Sequence, residues 1–220
     1  DGGSTSMSFD CSDEGVNIIT LTVTDENGNV STCDAEVTIE NNVVPNVLCQ
    51  DITVYLDAIG NVSIIADDVN GGTNAACGIA DLQVSPSAFD CSEVGPNTVT
   101  LTATDNSGNI STCNAIVTVL DTISPTAICQ DITVQLNANG EVTIQSVDID
   151  GGSTDNCDIA SITVDGGATS TDFDCSSVGA NTVTLTITDV NGNVSTCDAT
   201  VTVEDNVDPT AICQDITVQL

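Results

Sequence analysis

The stretch TVTLTITDVNGNVSTCDATVTV, residues 182–203, decides the fold. In its first half Val183, Leu185 and Ile187 alternate with threonines, so one face of a strand is apolar and the other polar. The second half alternates in the same way, and one face carries Cys197, Ala199, Val201 and Val203. Asn-Gly between the halves is a strong hairpin signal, because both residues tolerate positive φ. The stretch therefore predicts an antiparallel β-hairpin.

The same pattern recurs along the chain. GN(V/I)STC begins at Gly28, Gly108 and Gly192, FDCS begins at Phe9, Phe89 and Phe173, and CQDITV begins at Cys49, Cys129 and Cys213, always with periods of 80 and 84 residues. A fixed period is the signature of a repeat protein. We divide the chain into residues 1–44, the C-terminal half of a repeat, residues 45–124 and 125–208, two complete repeats, and residues 209–220, the first strand of another. We interpret it as a segment of a longer array.

Each complete repeat contains the signals for six or seven short strands and no convincing helix. Asn139-Gly140, for example, separates the alternating runs around Val134 and Val142. This pattern predicts an all-β chain of tandem Ig-like antiparallel β-sandwich repeats. The linkers at residues 121–125 and 205–209 are short, which predicts an extended, semi-rigid rod.

The charge of the chain excludes several classes of function. The sequence has 33 acidic residues, no Lys, Arg or His, and a formal net charge of −33. Nucleic-acid binding needs cationic side chains, and so does attraction to an anionic membrane. No apolar run approaches the length of about 20 residues that crosses a bilayer. Catalysis by a His or Lys base is excluded as well, and no carboxylate pair stands in a context typical of a glycosidase, so we expect no enzyme.

The eleven cysteines predict a disulfide framework, and hence an extracellular location. Each complete repeat has four, which allow three connectivities. In a sandwich whose first and last strands lie parallel, the first and fourth cysteines lie at the same pole. We therefore favour Cys49–Cys113 and Cys129–Cys197, with Cys77–Cys91 and Cys157–Cys175 closing a shorter loop. Cys11, Cys33 and Cys213 would then have partners beyond the chain, and Cys11–Cys33 is the alternative.

Calcium is the cofactor that the acidic residues favour, because it takes six to eight oxygen ligands. In a sandwich, the incoming linker, the loop after the second strand and the final hairpin turn meet at one pole. The candidate ligands from these segments and their counterparts are Asp121, Asp148, Asp150, Asp155, Asp189, Asp67, Asp68 and Asp105. The alternative is that Asp189 and its equivalents Asp25 and Asp105 accept turn N–H groups. The equivalents of Asp150 and Asp155 in the preceding repeat are Asn70 and Ala75, so the ligand set is not strictly repeated.

As a set, the motifs resemble a known family. They are PTAICQDITVQL, an FxxxxxGxNTVTLT stretch, TDxxGN, STC and a closing VTVxD. This combination resembles HYR-type repeats, and more closely the tandem repeats of giant SprB-type surface adhesins of gliding Bacteroidota. The resemblance implies an Ig-like fold, type IX secretion and display as cell-surface filaments that contact the substratum. Asp121-Thr122-Ile123 also resembles the short O-glycosylation motif of Bacteroidota, with Thr122 as the acceptor.

These observations lead to two hypotheses for function. The first is a stalk or filament segment that projects a distal binding region for cell adhesion and gliding motility, with neighbouring repeats as its partners. Surface polysaccharide or the substratum would then be contacted through other regions of the protein. The alternative is that the repeats themselves act as a glycan- or surface-binding module. Aromatic residues, which stack on sugars, make up only 2% of the chain, and this favours the stalk.

Overall fold

Alternating apolar and polar residues give the chain its strands. The computed structural model describes residues 6–219, and within this range it contains β-strands and short 3-10 turns but no α-helix. The chain divides into two units. One contains the described residues up to Val54 together with Val62–Leu120, and the other contains Tyr55–Asn61 together with the residues from Asp121 onwards.

The first unit holds one separate hairpin and a small sandwich. Its strands are β1 (Gly15–Thr24), β2 (Val30–Ile39), β3 (Ile52–Tyr55), β4 (Asn61–Ser63), β5 (Ile79–Ser85), β6 (Ala88–Asp90), β7 (Gly95–Asp105) and β8 (Ile110–Leu120). One sheet has the order β3-β8-β7-β5, β4 pairs with β6, and β1 pairs with β2. The turn between β3 and β4 groups with the second unit.

The second unit repeats the sandwich. Its strands are β9 (Ile132–Gln135), β10 (Glu141–Gln145), β11 (Ile159–Val164), β12 (Ser170–Asp174), β13 (Gly179–Asp189) and β14 (Val194–Glu204). One sheet has the order β11-β13-β14-β9 and the other is the pair β10-β12. The all-β, Ig-like sandwich that the sequence predicts is confirmed.

The hairpin of residues 182–203 forms the centre of this sheet. β13 and β14 pair antiparallel, with Val183 opposite Ala199 and Leu185 opposite Cys197. Leu185 and Ile187 are fully buried, whereas the threonines that alternate with them along β13 are exposed or half-buried. The core joins the two sheets through Leu136, Ile144, Ile149, Val164, Phe173 and the apolar residues of β13 and β14. The chain has no Trp, so these aliphatic side chains and Phe173 form most of the core.

The hairpin β1–β2 is the counterpart of β7–β8 but is differently buried. Leu101 of β7 is fully buried, whereas Leu21, its equivalent 80 residues earlier, is 58% exposed. Within the described residues before Asn41, no second sheet covers the hairpin. The same sequence pattern therefore forms a strand pair in both places, and only β7–β8 is enclosed in a core.

Two disulfides join the predicted pairs. Cys49 is bonded to Cys113 and Cys129 to Cys197, with Cα–Cα distances of 6.0 and 5.8 Å. In the second unit β9 lies parallel to β14, and Ile132 pairs with Val201. Each cysteine precedes the paired segment of its strand by a few residues. Parallel pairing of the first and last strands thus brings the first and fourth cysteines together.

The other two predicted disulfides are wrong. Cys77 is bonded to Cys11, not to Cys91, with a Cα–Cα distance of 5.5 Å. Cys175 is a free, exposed thiol, although Cys157 is half of a disulfide, as is Cys91. The prediction that Cys11 has its partner outside the chain is also wrong, and the alternative Cys11–Cys33 does not occur because Cys33 is free. The second and third cysteines of a repeat do not close a loop with each other.

Candidate metal centre

Asp189 is the buried anchor of the turn between β13 and β14. One carboxylate oxygen accepts the backbone N–H groups of Asn191 and Asn193, each at 2.8 Å, and the other accepts the side-chain amide of Asn193 at 2.8 Å. Burial raises the pKa of Asp189, but these hydrogen bonds together outweigh it and hold the pKa below its ordinary value. Asp189 is therefore charged at neutral pH although it is only 2% exposed.

Two further carboxylates lie beside Asp189. Asp121, which is 8% exposed, accepts the Ile123 N–H at 3.1 Å and the Asn156 side-chain amide at 3.2 Å through one oxygen. Asp155 accepts the Cys157 N–H at 2.8 Å through one oxygen. The second oxygen of each, Oδ2 of Asp121 and Oδ1 of Asp155, is buried and accepts no hydrogen bond. A buried carboxylate oxygen in this state is unfavourable without a positive partner.

The three carboxylates converge. One oxygen each of Asp121, Asp155 and Asp189 lies within 4.8 Å of the other two. At that separation, like charges repel by roughly 3 kcal/mol per pair at an effective dielectric constant of about 20. A divalent cation among them would convert this repulsion into attraction and satisfy the buried oxygens. Since all three groups are oxygen ligands, the site fits a hard cation such as calcium.

The equivalent place in the first unit is built differently. Asn41, Ala75 and Asp105 stand where Asp121, Asp155 and Asp189 stand in the second. The Asn41 side-chain amide donates to Asp105 at 3.1 Å, and the Asn109 amide donates to the same oxygen at 2.9 Å. These bonds satisfy the single buried carboxylate. The two units thus share one backbone frame and differ at this point by two negative charges.

The other acidic residues predicted as calcium ligands lie outside the cluster. Asp68 and Asp148 each accept a backbone N–H three residues earlier, from Ile65 and Gln145, both at 2.7 Å. Asp150 accepts the N–H and hydroxyl of Ser153, and Asp67 is exposed. Asp105 accepts turn N–H groups, as Asp25 does in β1–β2. The turn role that the sequence offered as the alternative is thus present in Asp25, Asp105 and Asp189, and Asp189 combines it with the cluster.

The sequence did contain a signal that separates the clustered aspartates from the other candidate ligands. Two neutral-to-acidic changes, Asn41 to Asp121 and Ala75 to Asp155, occur together in the second unit. Sequence reasoning noted Ala75 but missed Asn41, and it also missed Asn156. The Asn156 amide donates to Asp121 and, at 3.3 Å, to the carbonyl of Asp57. Thr122, the predicted glycan acceptor, is exposed next to the buried Asp121.

Comparison with known proteins gives neither a family nor a curated relative. No family model matches the chain, and no curated protein matches it. Solved structures of protocadherin extracellular domains are similar to it. Domains 1–4 of protocadherin gamma B7 are 14% identical with a TM-score of 0.37, over 89% of this chain and 59% of that one. Domains 1–3 of protocadherin gamma C5 are 14% identical with a TM-score of 0.40, over 87% of this chain and 78% of that one. Domains 1–2 of human mucin-like protocadherin are 15% identical with a TM-score of 0.37, over 73% of this chain and 98% of that one. These values carry no argument about function.

No helix among the described residues has the length and apolar character needed to cross a bilayer.

Proposed function

We propose that the chain is a load-bearing structural segment of an extracellular adhesion protein. The observation that supports this is the position of the Cys129–Cys197 disulfide relative to the parallel pair β9 and β14. Tension along the chain enters a repeat at its first strand and leaves it at its last. The two ends of the sandwich are therefore the parts that matter mechanically.

The parallel pairing loads its hydrogen bonds together. Once the Cys129–Cys197 bond is reduced, pulling the start of β9 and the end of β14 in opposite directions slides the two strands past each other along the pairs from Ile132–Val201 to Gln135–Glu204. All bonds of the ladder must then break at once, not one after another. This arrangement resists tension better than one in which a strand peels away.

In the oxidised chain the disulfide carries the load in place of this ladder, because β9 lies between Cys129 and Cys197. Force that reaches Cys129 passes directly to Cys197, so the segment between them stays out of the tensioned path. That segment spans a sequence separation of 68 residues, which would extend by about 230 Å if it were released. Only the 15 residues between Cys197 and Cys213 remain extensible. A repeat of this kind limits its own lengthening.

Calcium completes the proposal. The buried Asp121 begins the segment that leads into the second complete repeat, and a cation held by Asp121, Asp155 and Asp189 would fix this segment to the β13–β14 turn. Calcium would also reduce the repulsion within a chain of net charge −33. The Asp121 and Asp155 oxygens that lack hydrogen bonds support this assignment over an ordinary solvated acidic surface.

The sequence resemblance supports a more specific proposal. The chain would belong to the shaft of a SprB-type surface adhesin, exported by type IX secretion, with contacts to polysaccharide or substratum made elsewhere in the protein. Deletion of complete repeats from the natural protein should then shorten the surface filament and leave ligand binding intact. Loss of glycan binding on such a deletion would favour the alternative, in which the repeats are the binding module.

Pulling single molecules of the full chain tests the load-bearing role. Under oxidising conditions we expect only short extensions. Under dithiothreitol each complete repeat should unfold with a resolvable force peak and release about 220–230 Å more. Cys129→Ser should lengthen its own repeat by less than this without reductant, because Cys157, within the same segment, is still half of a disulfide. An oxidised chain that lengthens as much as the reduced chain, or a reduced chain that lengthens without a resolvable peak, would contradict the proposal.

A further inference from the structure

We infer that the third cysteine of each repeat forms a disulfide with the second cysteine of the repeat that follows, and that Cys175 is such a bonding position for a further repeat. Such a bond connects the repeats covalently whether or not the chain bears load. The bond between Cys11 and Cys77 in the first unit is of this kind. Cys11 is the third cysteine of its repeat, and Cys77 is the second cysteine of the next.

The Cys11–Cys77 bond belongs to a built arrangement. Its Cα–Cα distance of 5.5 Å is in the usual range for a disulfide. The Cys11 sulfur lies 3.6 Å from the carbonyl of Ala76. Asn106 supports the opposite side of the loop, because its side-chain amide donates to the Cys77 carbonyl at 2.6 Å. The residues on both sides of the bond are thus positioned by contacts of their own.

Cys175 stands in the same local frame as Cys11. Each begins a 3-10 turn, Cys11–Asp13 and Cys175–Ser177, and each follows an extended Asp. The backbone angles of these aspartates, Asp10 and Asp174, are φ −130°, ψ −171° and φ −130°, ψ −173°. Both carboxylates accept the N–H of the serine two residues later at 2.8 Å. The thiol of Cys175 is therefore presented as that of Cys11 is, but it is free and exposed.

The surroundings of the two cysteines also correspond. Asn41 follows the last strand of its repeat and lines a shallow groove with Cys11 and Cys77. Asp205, the equivalent of Asn41, lines a groove with Cys175 and Gly140. In the first unit this groove is completed by the loop that carries Cys77, the second cysteine of the following repeat. The partner of Cys175 is then a loop of the same kind, from a repeat joined after the segment that contains Cys213.

The bond forms by thiol–disulfide exchange with a small disulfide such as oxidised glutathione. The Cys175 thiolate attacks one sulfur of glutathione disulfide and releases one glutathione thiolate. The thiolate of the second cysteine then attacks the Cys175 sulfur of this mixed disulfide and releases the other. Two protein thiols are oxidised to one disulfide, and one glutathione disulfide is reduced to two glutathione molecules.

The test extends the full chain by a copy of residues 137–208 fused after Leu220. The join preserves the repeat, because residues 128–136 and 212–220 are identical in sequence. The extended chain is refolded with oxidised and reduced glutathione, alkylated, and cleaved at Asp, since it has no Lys or Arg for trypsin. We expect a cross-linked peptide that joins residues 174–188 to the appended copy of residues 155–157. In the unextended chain the same digest should link residues 10–12 to residues 68–80 and leave Cys175 alkylated.

Three internal controls make the result decisive. A bond between Cys213 and the appended copy of Cys197 reports that the added repeat has folded. Cys33 should be alkylated in both chains, because the extension adds no partner for it. Cys175→Ser should leave the appended copy of Cys157 open to alkylation. If the Cys213 bond forms while Cys175 remains alkylated, the inference is wrong.

Discussion

The side-chain amide of Asn41 donates a hydrogen bond to the buried carboxylate of Asp105 at 3.1 Å. In the second unit Asp121 occupies the position of Asn41, and it lies beside Asp189, the equivalent of Asp105. A neutral donor in one unit is thus replaced by a second negative charge in the other. The change is accompanied by Asp155 in place of Ala75. The two units are therefore natural controls for each other in every experiment on metal binding.

Replacing Asp121 by Asn and Asp155 by Ala should abolish calcium binding at the cluster. Without calcium the double variant should melt at a higher temperature than the wild type, because repulsion is removed and the new amide can donate to Asp189 as Asn41 does to Asp105. With calcium at about 100 times its Kd the order should reverse, since binding stabilises the wild type by about 2.7 kcal/mol. Calorimetric titration and melting in calcium or EGTA measure both effects. Equal calcium affinity in the two proteins would contradict the site.

The converse change, Asn41→Asp with Ala75→Asp, should create a second site in the first unit. In EGTA this variant should be less stable by about 1–3 kcal/mol, because it loses the Asn41–Asp105 hydrogen bond and buries additional charge. Titration should then give one more calcium per chain than the wild type. Asn41→Asp alone is the matched control, with the same lost hydrogen bond but one fewer ligand. Unchanged stoichiometry in the double variant would show that the backbone frame of the first unit cannot hold the ion.

Asp105 should make stability depend on pH in the acid range. Hydrogen bonds from Asn109 lower the pKa of Asp105 below the ordinary value of 3.8, with further contributions from Ser107 and Asn41. A group whose pKa is lower in the folded state contributes stability above its unfolded pKa and loses it as the pH falls through the folded pKa. Asp105→Asn should therefore destabilise the chain at pH 7, and the difference from wild type should narrow below about pH 3.8. Urea unfolding at a series of pH values measures this. If the difference in the free energy of unfolding between Asp105→Asn and wild type stays constant down to that pH, the destabilisation comes from packing and not from the charge of Asp105.

Leu101 and Leu21 test the difference in burial between equivalent hairpins. Leu101→Ala should cost about 2–5 kcal/mol because the side chain is fully buried between the two sheets. Leu21→Ala removes the same atoms from a side chain that is 58% exposed. It should change the free energy of unfolding by less than about 0.5 kcal/mol. Urea unfolding of the full chain compares the two. Equal costs would mean that β1–β2 is enclosed in solution.

Local pattern determined most of the fold. The alternation around Leu185, the Asn-Gly turns and the repeat period depend on residues within one strand or hairpin, so they could be read without knowledge of contacts. The pairs Cys49–Cys113 and Cys129–Cys197 also followed, since they require only that the first and last strands of a sandwich lie side by side. These predictions needed the topology of one repeat and nothing beyond it.

Tertiary structure alone decided the rest. Cys11 and Cys77 are 66 residues apart and belong to different repeats, so no periodicity within a repeat could pair them. Likewise, eight acidic residues were equally plausible ligands, and only their positions in space separate Asp121, Asp155 and Asp189 from those that cap turns. The sequence by itself determined which strands form and in which register, because side-chain alternation acts locally. The cross-link and the carboxylate cluster depend on where loops from distant parts of the chain meet, and only the folded backbone determines that.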